Sequence, residues 1–283
     1  AGGMYDVTIH VQPSNPAQTC TVPGGSGVAT ADVATIAVVC GPLDSDGDGI
    51  PDVADPFPND GNRPKRADSS TVYPHTSSHL FAMNVSTYAI TPIAGFNGGT
   101  TGPMTDLAID RYGVVYGVTF DNLYVCDADT ATCYHLAPLP QQFNGLTMVP
   151  AGTVDPDLET LIGVANSGAW YRVTIGAGTA QLTQLGAYGG PYSSSGDAFS
   201  IEGVGTYASA NKTGSSSDVI VRVNPVNGAV LAEVGTVTGY DSLFGLAGWE
   251  GEVFGFDASG AVLRIDIATG QVTLLQDTNH AWW

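Results

Sequence analysis

Apolar and polar residues alternate through most of the chain, and from residue 71 onward one short pattern keeps returning. Residues 80–90, 123–133, 170–180, 220–230 and 262–272 each place a strand-like run before and after a turn. Asn84, Asp127, Thr174, Asn224 or Asp266 opens that turn; four positions later stand Tyr88, Ala131, Gly178, Gly228 and Gly270. Asn and Asp bond their own backbone and Gly accepts a left-handed conformation, so each copy predicts a β-hairpin. The copies begin at 80, 123, 170, 220 and 262, spacings of 43, 47, 50 and 42. A further strand precedes each hairpin, marked by Tyr73, Tyr116, Ile162, Tyr207 and Phe254. Before that strand runs an apolar, glycine-tolerant segment, at 105–109, 144–148, 200–204 and 244–248, with a last copy beginning at 280–283.

Four strands per unit at a period of about 40–50 residues is the signature of a β-propeller blade. Five units predict a five-bladed β-propeller over residues 71–283 in an all-β chain. The last blade is expected to take its inner strand from 280–283 and its other three from 71–94. This stretch resembles secreted bacterial β-propellers through its periodicity; no Gly-His…Trp-Asp signature accompanies it.

Residues 1–41 also alternate like strands, at 5–11, 19–22 and 34–40, with a Gly-Gly-Ser-Gly turn at 24–27. The order Tyr-x-Val-Thr, Gln-Pro, Cys-Thr-Val, Gly-Ser-Gly and Val-x-Cys resembles the second half of an Ig-like repeat of bacterial surface proteins. That makes residues 1–41 a partial Ig-like β segment. Four cysteines fall as two local pairs, Cys20 with Cys40 and Cys126 with Cys133. Even pairing in a strand-rich chain predicts disulfides and an oxidising compartment. Cys126 and Cys133 flank one hairpin turn symmetrically and are expected to bridge its strands.

The chemistry most readable in the chain lies at 42–60. Asp44, Asp46 and Asp48 alternate, Gly49 and Ile50 follow, and Asp52 and Asp55 complete positions 9 and 12 of an EF-hand-type loop. A hard cation takes about six to eight oxygens. Alternating Asp side chains supply carboxylates, Gly permits the sharp turn, and the Ile50 carbonyl is the expected backbone ligand. The segment resembles a thrombospondin type 3 calcium repeat, which implies Ca2+ as a structural ion stiffening the join between domains. It departs from that family at Phe57, where a Cys is common, and from an EF-hand at Asp55, Pro51 and Pro56. Residues 61–70 form a polar linker containing Arg63, Lys65 and Arg66.

Composition narrows the function classes. The net charge is −19, with 8 Lys plus Arg against 27 Asp plus Glu, which argues against nucleic acid or an anionic membrane as partner. No apolar run approaches the ~18 residues of a membrane span. The chain begins at Ala1 without a charged-then-apolar leader and reads as a processed piece of a secreted or cell-surface protein. No Gly-x-Ser-x-Gly or phosphate-binding glycine loop occurs. Asp106 and Glu202 are the acids in the expected inner strands, at different repeat positions, so no carboxylate pair suggests a glycosidase. Gln142, Asp197, Asp241 and His280 fall in the loops expected to frame one propeller face and are the candidate ligand-binding residues. The reading is a non-catalytic calcium-binding adhesion or binding module for glycan or surface protein. The alternatives are a filament subunit that self-assembles through its N-terminal strands and a secreted carbohydrate-active enzyme.

Overall fold

The computed structural model describes residues 2–15 and 17–283. The chain divides into two compact units, one ending at Pro64 and one spanning Lys65–Trp283. In the first, β1 (Gly3–Asp6), β2 (Gln18–Thr21), β3 (Ser26–Ala29) and β4 (Val39–Pro42) make two antiparallel pairs, β1 with β3 and β2 with β4. Cys20 and Cys40 face each other across the second pair and are disulfide-bonded. Among the described residues of this unit, Cys20, Ile50, Pro51 and Pro64 are its buried apolar side chains. Met4, Val11, Val28, Val38 and Val39 stay exposed. So small a core needs a covalent or ionic staple. Replacing both Cys20 and Cys40 with serine is expected to lower the stability of this unit by about 3 kcal/mol, read by its first melting transition.

The second unit is a five-bladed β-propeller. Its chain opens with β5 (Thr71–Val72), β6 (His79–Asn84) and β7 (Ile90–Gly95), a three-stranded sheet. Four full blades follow. They are β8 (Met104–Ile109) to β11 (Cys133–Pro138) through β9 (Val115–Thr119) and β10 (Asn122–Cys126), then β12 (Gly145–Val149), β13 (Thr160–Val164), β14 (Ala169–Gly176) and β15 (Thr179–Ala187). The third blade holds β16 (Tyr192–Ile201), β17 (Gly205–Lys212), β18 (Val219–Val223) and β19 (Val230–Thr236). The fourth holds β20 (Leu243–Trp249), β21 (Glu252–Asp257), β22 (Ala261–Ile265) and β23 (Val272–Asp277). Within each blade neighbours are antiparallel, and the first strands β8, β12, β16 and β20 lie side by side around the axis.

Burial grades outward as this packing demands. Every residue of β9 and β13 is buried, because both faces of a blade meet neighbouring blades, while the outermost strand β23 is mostly exposed or half-buried. The apolar contacts lie between blades, as where Ile162 and Trp170 of one meet Val221 and Val223 of the next. The five hairpin turns share one backbone geometry. Tyr88, Ala131, Gly178, Gly228 and Gly270 all have positive φ, 58°, 52°, 70°, 72° and 72°. Cys126 and Cys133 face each other across one of these hairpins and form the second disulfide.

The ring closes through the chain end. Thr76 bridges Trp282 in antiparallel fashion, and the Trp283 N–H donates to the His75 carbonyl at 3.0 Å. The fifth blade therefore consists of the C-terminal segment inside β5, β6 and β7.

The inner strand of the third blade differs from the sequence expectation. Facing the landmark residues Tyr116, Ile162, Tyr207 and Phe254 are Ala108, Thr147, Phe199 and Ala247. The repeat thus runs through Asp197–Phe199, and Glu202 lies in the following turn rather than in the strand. Among the described residues no helix is long and apolar enough to cross a membrane.

Candidate functional site

Two acidic arrangements stand out, one in each unit. In the first unit, residues 44–55 fold into a tight loop with Gly47 and Gly49 at φ 79° and 90°. Its own carboxylates hold it. Asp44 accepts the N–H groups of Gly47 and Gly49, Asp46 that of Asp48, and Asp48 that of Ile50. Asp52 grips the Ser45 N–H and hydroxyl, both at 2.7 Å, and Asp55 accepts from Phe57 N–H at 2.7 Å. The result brings one carboxylate oxygen each of Asp44, Asp46 and Asp48 within 4.8 Å of one another. Asp55 is buried, and burial, with the charges of Asp48, Asp46 and Asp52, pushes its carboxyl up to about 6. One oxygen of Asp46 and one of Asp55 are buried without a hydrogen-bond partner. Ile50 has a fully buried side chain that anchors the loop beneath these acids. A buried carboxylate oxygen lacking any donor is costly, and several facing one another cost more through repulsion.

The second arrangement sits on the propeller axis. Counting two residues back from Ala108, Thr147, Phe199 and Ala247 gives Asp106, Gly145, Asp197 and Gly245, so the two acids share one repeat position in alternate blades. Each repeats the same bonding. Asp106 accepts from its neighbour Leu107 N–H at 2.8 Å and from Leu146 N–H of the next blade at 2.5 Å. Asp197 accepts from Ala198 N–H at 2.5 Å and from Leu246 N–H of the next blade at 2.9 Å. The two carboxyls also lie within hydrogen-bond reach of each other. Burial raises both; for Asp197 the charge of Asp106 adds to it. His75, from the segment after β5, brings its Nε2 to 3.8 Å from Asp106. Burial pushes the His75 imidazole down to about 4, which keeps it neutral at ordinary pH.

These groups line a cavity of about 180 Å³ that follows the inner strands, from Asp106 to Ile109 and from Asp197 to Ser200. Leu146, Leu246 and Thr147 complete its waist, with Trp249 and Trp283 among its walls. The glycines opposite the acids are required by the approach of the strands. A Cβ on Gly145 would sit 2.5 Å from the Gly196 carbonyl oxygen, and one on Gly245 would sit 2.7 Å from that of Trp283.

Of the four residues proposed from the sequence to frame a ligand, Asp197 alone lines this cavity, and it does so from strand β16 rather than from a loop. Gln142 and Asp241 are exposed loop residues. His280 stacks on Phe81 and Trp282, with centroids 4.6 and 4.9 Å away. His75 and the equivalence of Asp106 with Asp197 escaped the sequence reading. Aligning the Gly-Leu of 145–146 and 245–246 with Asp197-Ala198 and Asp106-Leu107 would have revealed the pair.

No protein-family model matches the chain, and no curated protein matches its sequence. Among solved structures the chain is similar to Kuenenia stuttgartiensis hydrazine synthase at 15% identity and TM-score 0.43, over 77% of this chain and 66% of that one. It is similar to a chain of the nidogen/laminin complex at 13% identity and TM-score 0.45, over 76% and 78%. It is also similar to the Myceliophteria thermophila Cps50 (Swd1) β-propeller domain at 11% identity and TM-score 0.40, over 75% and 69%.

Proposed function

We propose that this chain is an extracellular, non-catalytic binding protein whose 44–55 loop holds a structural calcium ion. The observation carrying the calcium reading is the pair of buried carboxylate oxygens, on Asp46 and Asp55, that have no partner within an all-acid loop. Asp44, Asp46, Asp48 and Asp55 are the side-chain ligands in this reading, with the Ile50 carbonyl as the backbone ligand. Asp52 closes the loop through Ser45 and meets the ion through water, as position 9 often does. The likeness of the loop to thrombospondin type 3 repeats belongs to the same reading. Two disulfides suit an oxidising, extracellular setting.

The recognition reading rests on the propeller fold, which presents loops around a central cavity, for a glycan or a surface protein. Glycosidase chemistry at Asp106 and Asp197 fits poorly. Hydrolysis needs carboxyls about 5–9.5 Å apart, and these two are in hydrogen-bond reach of each other. Self-assembly is the second reading, favoured by the exposed Met4, Val11, Val28 and Val39 on and beside the short strands of the first unit.

Adding calcium chloride to metal-free protein is expected to raise the first melting transition, and the Asp46→Ala/Asp48→Ala variant is expected to lose that shift. An unchanged first transition would overturn the calcium reading. Probing a glycan array with the full chain tests recognition: retention supports it, and turnover of an arrayed glycan would replace it with an enzyme.

A further inference from the structure

We propose that the axis of the propeller carries a second metal site, for a divalent transition ion of zinc type, with His75, Asp106 and Asp197 as its ligands. The argument starts from the His75 ring. Its Nδ1 lies 3.1 Å from the Thr76 carbonyl oxygen, and a carbonyl can only accept, so Nδ1 carries the hydrogen. In the neutral ring Nε2 is then a lone-pair donor, and it has no hydrogen-bond partner although the residue is 4% exposed. What faces it is the Asp106 carboxylate at 3.8 Å, also electron-rich, with Asp197 beyond. Three electron-pair donors therefore converge on one end of the cavity, and the backbone N–H groups of Leu107, Leu146, Ala198 and Leu246 bond the carboxylates from behind.

That arrangement is the habit of a metal-binding set. A ligating imidazole donates its other N–H to a backbone carbonyl, and ligating carboxylates are hydrogen-bonded in turn. A proton shared between Asp106 and Asp197 would account for those two carboxyls but would leave His75 Nε2 without a partner. A cation answers all three. One imidazole nitrogen with two carboxylates favours zinc or a similar transition ion, whereas the oxygen-only loop at 44–55 favours calcium. The two sites therefore separate by chemistry as well as by position.

The test uses the full chain carrying Asp46→Ala/Asp48→Ala, which disables the loop, stripped of metal and titrated with zinc. One zinc per chain is expected, with a higher melting temperature for the propeller and an imidazole nitrogen among oxygens in the zinc X-ray absorption spectrum. Adding His75→Gln is expected to weaken zinc binding at least tenfold while circular dichroism stays native. No stoichiometric zinc in a natively folded protein, an oxygen-only shell, or unchanged affinity in the His75→Gln protein would each overturn the proposal. Should His75→Gln fail to fold, the absorption spectrum of the parent protein decides.

Discussion

Replacing Trp282 with alanine is expected to destabilise the propeller by roughly 3–5 kcal/mol, the cost of emptying a large aromatic site in a core. Trp282 is fully buried, packs edge-on to Phe81 at 5.2 Å and Phe256 at 5.8 Å, and donates its ring N–H to the Gly260 carbonyl at 3.3 Å. Those partners come from the first and last blades of the chain. The same residue bridges Thr76 and so belongs to the inner strand that closes the ring. Its loss removes burial and ring closure together, and the sheet of β5, β6 and β7 is left without an inner neighbour. Urea denaturation of the variant, with the slope of the transition compared with that of the parent, measures the cost. A loss below about 1 kcal/mol would mean that the ring holds without this strap.

The second large effect is expected at Gly196. Its φ is not in the left-handed region, so the need for glycine there is purely one of space. A Cβ at Gly196 would fall inside contact distance of the backbone of Phe244 in the next blade, and no side chain could swing aside to relieve it. Gly196→Val should therefore push two inner strands apart, cost more than about 3 kcal/mol and favour the unfolded or aggregated chain. Gly95→Ala is the control, because its nearest neighbour would be an ordinary 3.5 Å contact with the exposed His79 ring. Its expected effect is within about 0.5 kcal/mol. Equal behaviour of the two variants would contradict the close approach of the inner strands.

Much of this fold was legible before the structure. The hairpin turns could be found because local chemistry writes them: Asn, Asp or Thr opens each one, and the residue four positions on takes positive φ even where it is Tyr88 or Ala131. The closing strand at 280–283 was visible as an incomplete repeat, and both disulfides followed from cysteines placed across predicted strand pairs. The inner strand of the third blade was misplaced by several residues for a physical reason. β16 runs ten residues and shifts register between Ser194 and Ala198, so its apolar pattern starts late. Asp197 then looked like a loop residue, since a buried acid breaks the alternation that marks a strand. The axial group of Asp106, Asp197 and His75 was unreadable for a related reason: its members come from three distant segments, and only closure of the ring brings them together. The 44–55 loop was the reverse case, because its ligands are local and their spacing states the chemistry directly.

The measurement that bears most directly on this account is calorimetric titration of calcium into the metal-free chain, intact and as Asp46→Ala/Asp48→Ala. The account predicts about one calcium ion per intact chain, at the single acidic loop, and none in the double variant. Absence of calcium binding by the intact chain, or equal binding by both proteins, would contradict it.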